Sequence, residues 1–146
     1  MQLHTIKLEN PDGLNLIMGQ SHFKKTVEDI YNALIGAIPE IQFGLAFTNE
    51  AGPTSTFVKQ RGTSNVLADL AERNASKIGV SDTFVLFSEN AFPVNVMKAL
   101  KRLPEISEIY CATSNPIEVI VVETQDGRGV MGLVGDYTDP HKQSMA

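Results

Sequence analysis

Apolar residues along this chain follow two periods, and the alternation between them divides it into helices and strands. Val27, Ile30, Tyr31, Leu34 and Ile38 recur at helical spacing, which predicts a helix starting near Thr26 with one buried face, and Pro39 stops it. Thr26 with Asp29 three residues on resembles a capping box, with Asp in place of the usual Glu. Ile41, Phe43, Leu45 and Phe47 then alternate with Gln42, Gly44, Ala46 and Thr48, the period of a strand with one apolar face. A second helix is predicted over 64–78, with Val66, Leu67, Leu70, Ala71, Ala75 and Ile78 inward and Gly79 as its stop. The nearly continuous run Thr83-Phe84-Val85-Leu86-Phe87 reads as a buried central strand. Pro93 opens a third helix that ends near Leu103.

Shorter strands complete the pattern at 2–9, 14–19, 55–60, 106–113, 117–124 and 129–135. Turn signals separate them at Asn10-Pro11-Asp12-Gly13, Ser114-Asn115-Pro116 and Gln125-Asp126-Gly127. The order ββαββαβαβββ, with its tight turns, implies an α+β domain: a largely antiparallel sheet with three helices packed on it. Up to one strand pair, around the third helix, is open to being parallel. Residues 1–136 form the single domain, and the polar residues 137–146 read as a loose tail.

Composition narrows the function classes. Twelve basic residues against seventeen acidic ones give a net charge of −5, which argues against a diffuse nucleic-acid footprint but leaves room for a local anion pocket. No apolar run approaches the length of a membrane span, and no basic segment followed by an apolar one suggests a signal peptide. Cys111 is the only cysteine, so an intrachain disulfide and a Cys-based zinc site are excluded, and a reducing, cytoplasmic location is expected. No spacing of ligands points to a metal site.

Two stretches lie where strands give way to helices. Gly19-Gln20-Ser21-His22-Phe23-Lys24-Lys25-Thr26 matches the phosphate-loop pattern G-x-x-x-x-G-K-[ST] at Gly19, Lys25 and Thr26 but carries Lys24 in place of the second glycine. That glycine lets backbone N–H groups curl round a phosphate, so no true phosphate loop is expected. What remains is a helix start with a lysine and an imidazole, suited to an anion, against the plainer reading of solvated charges. His22 carries an imidazole, which is able to serve as acid, base or phosphoryl acceptor. Asn90 and Asn95, around Pro93, carry donor–acceptor amides suited to a sugar or purine edge, though Asn90 is equally a helix cap. Ser114 and Asn115 stand in a run of small residues at a strand end. Arg128 sits between Gly127 and Gly129, either a phosphate contact or an ordinary hairpin.

Taken together, these blocks resemble the archaeal and bacterial family of adenosine-specific kinases. The resemblance rests on Gly19-Gln20-Ser21-His22-Phe23 with Lys25-Thr26-Val27-Glu28-Asp29, on Phe43-Gly44-Leu45-Ala46-Phe47, and on Asn90-Ala91-Phe92-Pro93-Val94-Asn95-Val96. Ile109-Tyr110-Cys111-Ala112-Thr113, Asn115-Pro116 and Gly127-Arg128-Gly129-Val130 continue it in order. It departs from the family at Ser81-Asp82, where a Gly-His pair is usual. The resemblance implies adenosine or AMP as ligand, with phosphoryl transfer by way of His22 assisted by Lys25. It implies nucleotide contacts from Gly19, Gln20, Ser21, Phe23, Asn90, Pro93, Asn95, Ser114, Asn115 and Arg128, and a homo-oligomer, a trimer. A kinase of this kind would use ATP and Mg²⁺, with Glu28, Asp29, Glu50 and Asp82 all open as carboxylates for the metal. A module that binds the same nucleotide without turnover is the alternative, since it needs neither metal nor nucleophile.

Overall fold

The second strand, Asn15–Ser21, decides the architecture, because its residues Leu16, Ile17 and Met18 are all buried and so must be covered on both faces. In the computed structural model, which describes residues 1–22, 26–52 and 55–138, the elements run β1 (Gln2–Lys7), β2 (Asn15–Ser21), α1 (Thr26–Ala37), β3 (Phe43–Gly52), β4 (Ser55–Gly62) and α2 (Asn65–Ile78). They continue as β5 (Thr83–Ser88), α3 (Pro93–Lys101), β6 (Ile106–Thr113), β7 (Ile117–Thr124) and β8 (Gly127–Gly135). The order is the expected ββαββαβαβββ of a single α+β domain.

The strands form two sheets. Five lie in the order β4-β3-β5-β2-β6 and three in the order β1-β7-β8. Every pairing among them is antiparallel. Strands β5 and β6, joined through α3, do run the same way, but β2 lies between them, so the parallel relation never becomes a hydrogen-bonded pair. The turn at Asn10–Gly13 forms, with the Asn10 amide bonded to both the N–H and the carbonyl of Leu14. Yet it passes the chain from one sheet to the other and makes no hairpin. Strand β1, with one face exposed, pairs β7 through contacts such as Leu3↔Val122 and Thr5↔Ile120. The turn at Ser114–Pro116 likewise hands the chain from β6 to the small sheet.

Side chains of the large sheet alternate between two cores. Ile17, Phe43, Leu45, Phe84 and Leu86 pack under α1 and α3, against Ile30, Leu34, Val96 and Leu100. Leu16, Met18, Val85, Phe87 and Cys111 face the other way, against α2 and β7. Helix α2 is framed as the sequence indicates, except that Val66, expected inward, lies in the first turn on the solvent side and is exposed. Ser64 accepts a hydrogen bond from the Leu67 N–H, and Gly79 closes the helix at φ 62°, donating its N–H to the Ala75 carbonyl. Gly44 is required by this packing, because a methyl group there would run into the backbone of Leu67 and Ala68 in α2. Asn74 of α2, fully buried, bonds both the N–H and the carbonyl of Glu9 and so ties the end of β1 to the helix. The layers are therefore α1 and α3, the five-stranded sheet, then α2 beside the three-stranded sheet. No helix among the described residues is long and apolar enough to cross a membrane.

Candidate functional site

Polar groups inside this molecule are gathered at one end of the large sheet. Of the seven buried polar or charged residues among those described, five lie there: Ser21, Thr26, Thr48, Thr83 and Glu105. The backbone explains how they meet. At the end of β2, the Ser21 N–H donates to the carbonyl of Asp82 (2.9 Å), whose own N–H donates to the Thr48 carbonyl (2.8 Å) at the same level of β3. Asp82 adopts φ 63°, the left-handed region that favours glycine, to make both bonds. The next N–H, of His22, donates to the carbonyl of Glu105 in the loop between α3 and β6 (3.2 Å). The hydroxyls of Ser21 and Thr26 lie 2.6 Å apart and fasten the start of α1 to β2. His22 itself is exposed at the rim.

Two buried polar atoms at this end have no hydrogen-bond partner, Thr48 Oγ1 and Glu105 Oε2. Glu105 is only 7% exposed. Burial first, and then the hydrogen bond and negative charge of neighbouring Asp29, push its carboxyl up to about 7. Among the carboxylates left open by the sequence, Glu28 is taken by an ion pair with Arg61, whose guanidinium also lies 3.9 Å from the centre of the Tyr31 ring. Asp29 faces Glu105. The Glu50 side chain lies outside the described residues, as do Phe23, Lys24 and Lys25.

A second feature occupies the opposite end. An open cleft of about 420 Å³ is bordered by Asn15, Pro93, Val94, Met97, Thr113, Ser114, Asn115, Asp136 and Tyr137, among others. That volume lies in the range of small-molecule sites. Its wall is held by the Asn15 amide on the Ala91 carbonyl (3.2 Å), and by the Thr113 hydroxyl and Asn115 amide, which both donate to the Asp136 carbonyl (2.7 and 3.2 Å). Thr138 pairs with Ala112 in both directions, so the first residues after β8 are fastened against β6; residues 139–146 lie outside those described. Among its described lining residues the cleft has one carboxylate, Asp136, and no Lys or Arg. Strand β2 has seven residues, so the two ends it connects are about 20 Å apart.

The residues singled out in the sequence therefore divide. Ser21 and His22 belong to the polar end. Gly19 and Gln20 lead into it along β2, and the Gln20 carbonyl and side-chain oxygen both accept from the Ser107 hydroxyl. Pro93, Ser114 and Asn115 share the cleft. Asn90 stands apart, its side chain bonded to the Glu40 carbonyl (2.8 Å) and the Gln42 N–H (2.6 Å). It clamps a turn in which Glu40 is left-handed, and it does not cap α3, whose N-cap is Phe92. Asn95 is exposed in the first turn of α3. Arg128 reaches neither end: it pairs with Glu123 (2.7 Å) and donates to the Ile78 carbonyl at the end of α2 (3.1 Å). Within this chain its guanidinium caps the end of α2, and its Nε is buried without a hydrogen-bond partner among the described residues.

Glu105 and Tyr137 escaped the sequence reading. A lone Glu after Pro104 carries no motif, and Tyr137 opens a stretch read as tail. Cys111 adds no chemistry, since burial pushes its thiol up to about 12.

Comparison with known proteins adds three findings. A family model described as adenosine specific kinase matches residues 6–143. The crystal structure of PH1918 protein from Pyrococcus horikoshii OT3 is similar at 39% sequence identity and a TM-score of 0.83, over 99% of this chain and 90% of that one. No curated protein matches the chain.

Proposed function

Because the chain belongs to the adenosine-specific kinase family, we propose that it binds adenosine and catalyses phosphoryl transfer to it, with His22 as the relay. The observation that supports this reading is the concentration of buried polar groups around an exposed imidazole, at the end of β2 where the Gly19–Asp29 block lies. Stable folds rarely bury hydroxyls and a carboxyl without using them. In the first step an imidazole nitrogen of His22 attacks the γ-phosphorus of ATP, the bond to the bridging oxygen breaks, and ADP leaves. In the second the 5′-hydroxyl of adenosine attacks that phosphorus, the P–N bond breaks, the hydroxyl proton is lost to solvent, and AMP leaves. Lys25 supplies positive charge to the transferring group, in keeping with a reaction that depends mainly on positioning and electrostatics. ATP is the donor in this reading, Mg²⁺ accompanies it, and the protein works in the cytoplasm.

The cleft at the other end favours a second reading, a nucleoside-binding module without turnover. Its amides and Tyr137 suit a base and ribose, and Asp136, with no Lys or Arg among the described lining residues, disfavours a phosphate. The two readings join if the protein is a homo-trimer in which one copy's His22 end meets a neighbour's cleft. Incubation with adenosine, ATP and Mg²⁺, followed by chromatography for AMP, separates them. AMP formation well above background is expected; adenosine binding by calorimetry with no AMP formed would leave the module and remove the kinase.

A further inference from the structure

The polar side chains of the cleft have spent their donors and kept their acceptors. Asn15 and Asn115 each give an amide N–H to a backbone carbonyl, of Ala91 and Asp136 respectively. A carbonyl only accepts, so the atom facing it is the amide nitrogen, and both amide oxygens keep their accepting capacity. The Thr113 hydroxyl donates to the Asp136 carbonyl and accepts from the Asn115 N–H (3.0 Å). Asp136 adds a carboxylate. Among the described residues the side-chain bonds to Asp136 all go to its backbone carbonyl, and its carboxylate forms no ion pair.

The backbone around Asp136 is fixed independently of its side chain. Gly135 before it adopts φ 140°, which favours glycine, and a methyl group there would meet the Pro116 carbonyl at 2.7 Å. Two residues on, Thr138 exchanges hydrogen bonds with Ala112 in both directions. The carboxylate is therefore presented at the cleft without being used to build it.

We propose that Asp136 is the specificity-determining residue of the cleft and accepts the vicinal 2′- and 3′-hydroxyls of a ribose. A carboxylate has two oxygens that only accept, so two neighbouring hydroxyls each find a place on it, as an acidic side chain holds ribose in dinucleotide-binding folds. The ligand class is a ribonucleoside with its diol free. A 2′-deoxy sugar lacks a donor, and a phosphate on the diol brings negative charge against a wall with no Lys or Arg among its described residues. This role rests on the cleft being a nucleoside site and names what that site selects.

Calorimetry on the full chain tests it with adenosine, 2′,3′-dideoxyadenosine and 3′-AMP, for the wild type, Asp136→Ala and, as a control for charge outside the cleft, Asp126→Ala. The wild type and Asp126→Ala are expected to bind adenosine at least about tenfold more tightly than either analogue. Asp136→Ala is expected to bind adenosine and the dideoxy analogue alike, with 3′-AMP no longer disfavoured. The analogues probe the wild type directly, so the test stands even if Asp136→Ala fails to fold. Equal wild-type affinity for adenosine and its dideoxy analogue, or equal adenosine affinity of wild type and Asp136→Ala, overturns the role of Asp136 and leaves the nucleoside site. Binding of neither adenosine nor its dideoxy analogue by the wild type removes the nucleoside site and this role with it.

Discussion

The two ends of β2 offer opposite kinds of polarity. At the Ser21 end the polar groups are buried, two of their atoms lack partners, and a carboxyl is held well above its usual range. At the Asn15 end the polar groups line an open cleft, and the Asn15, Thr113 and Asn115 side chains all donate to backbone carbonyls. The first arrangement stores unsatisfied charge and hydrogen-bonding capacity, as a site for chemistry does. The second is a formed wall of amides around a volume suited to a neutral ring system. One strand carries both, so a change at one end reaches the other only through the fold.

The largest effect should come from breaking the fold that joins them. Gly44→Ala places a methyl group against the backbone of α2, and a cost of at least about 3 kcal/mol is expected. Denaturant melts read it directly, with adenosine binding and protein labelling falling together. Next in size is an obstruction confined to the cleft. Ser114→Trp should weaken adenosine binding at least about tenfold by calorimetry, while labelling of the protein by ATP stays at the wild-type level. Equal loss of both would merge the two ends into one site.

A smaller effect distinguishes the ends by pH. Glu105 has a folded-state carboxyl raised to about 7, so the folded chain binds its proton more tightly than the unfolded chain does. The stabilising contribution is full below the unfolded value and is lost as pH rises through about 7. The melting temperature should fall between about pH 5 and pH 8, and Glu105→Gln should flatten that slope. An unchanged slope in Glu105→Gln would move the titration to another group. The smallest effect concerns Arg128, which serves neither end: Arg128→Ala should cost roughly 0.5–1.5 kcal/mol through the lost bond to the Ile78 carbonyl and leave AMP formation unchanged.

Local signals were legible wherever a single residue type decides the backbone. Ser64 and Gly79 bracket α2 in the sequence as they do in space, and the run at 83–87 is the central strand β5. Strand partners were not legible, since the Asn10–Gly13 turn looks like a hairpin and only the two-sided burial of β2 sends β1 to another sheet. The His22 segment was visible because imidazole chemistry is rare at a helix start. Glu105 was not, because its meaning comes from Asp29, seventy-six positions away, and from the solvent that folding removes. Arg128 shows the converse: a guanidinium on a glycine turn reads as either a phosphate contact or an ordinary hairpin, and its bond to the open end of α2 comes only with the fold.

The most direct measurement is to locate the phosphoryl group on the protein. The chain is incubated with ATP labelled at the γ-phosphate, digested under alkaline conditions, and mapped by mass spectrometry. The expected result is an acid-labile label on the peptide containing His22, absent in His22→Asn and discharged to AMP when adenosine is added. AMP formation that persists in His22→Asn, or label on any other residue, would contradict the assignment of the chemistry to this end of the sheet.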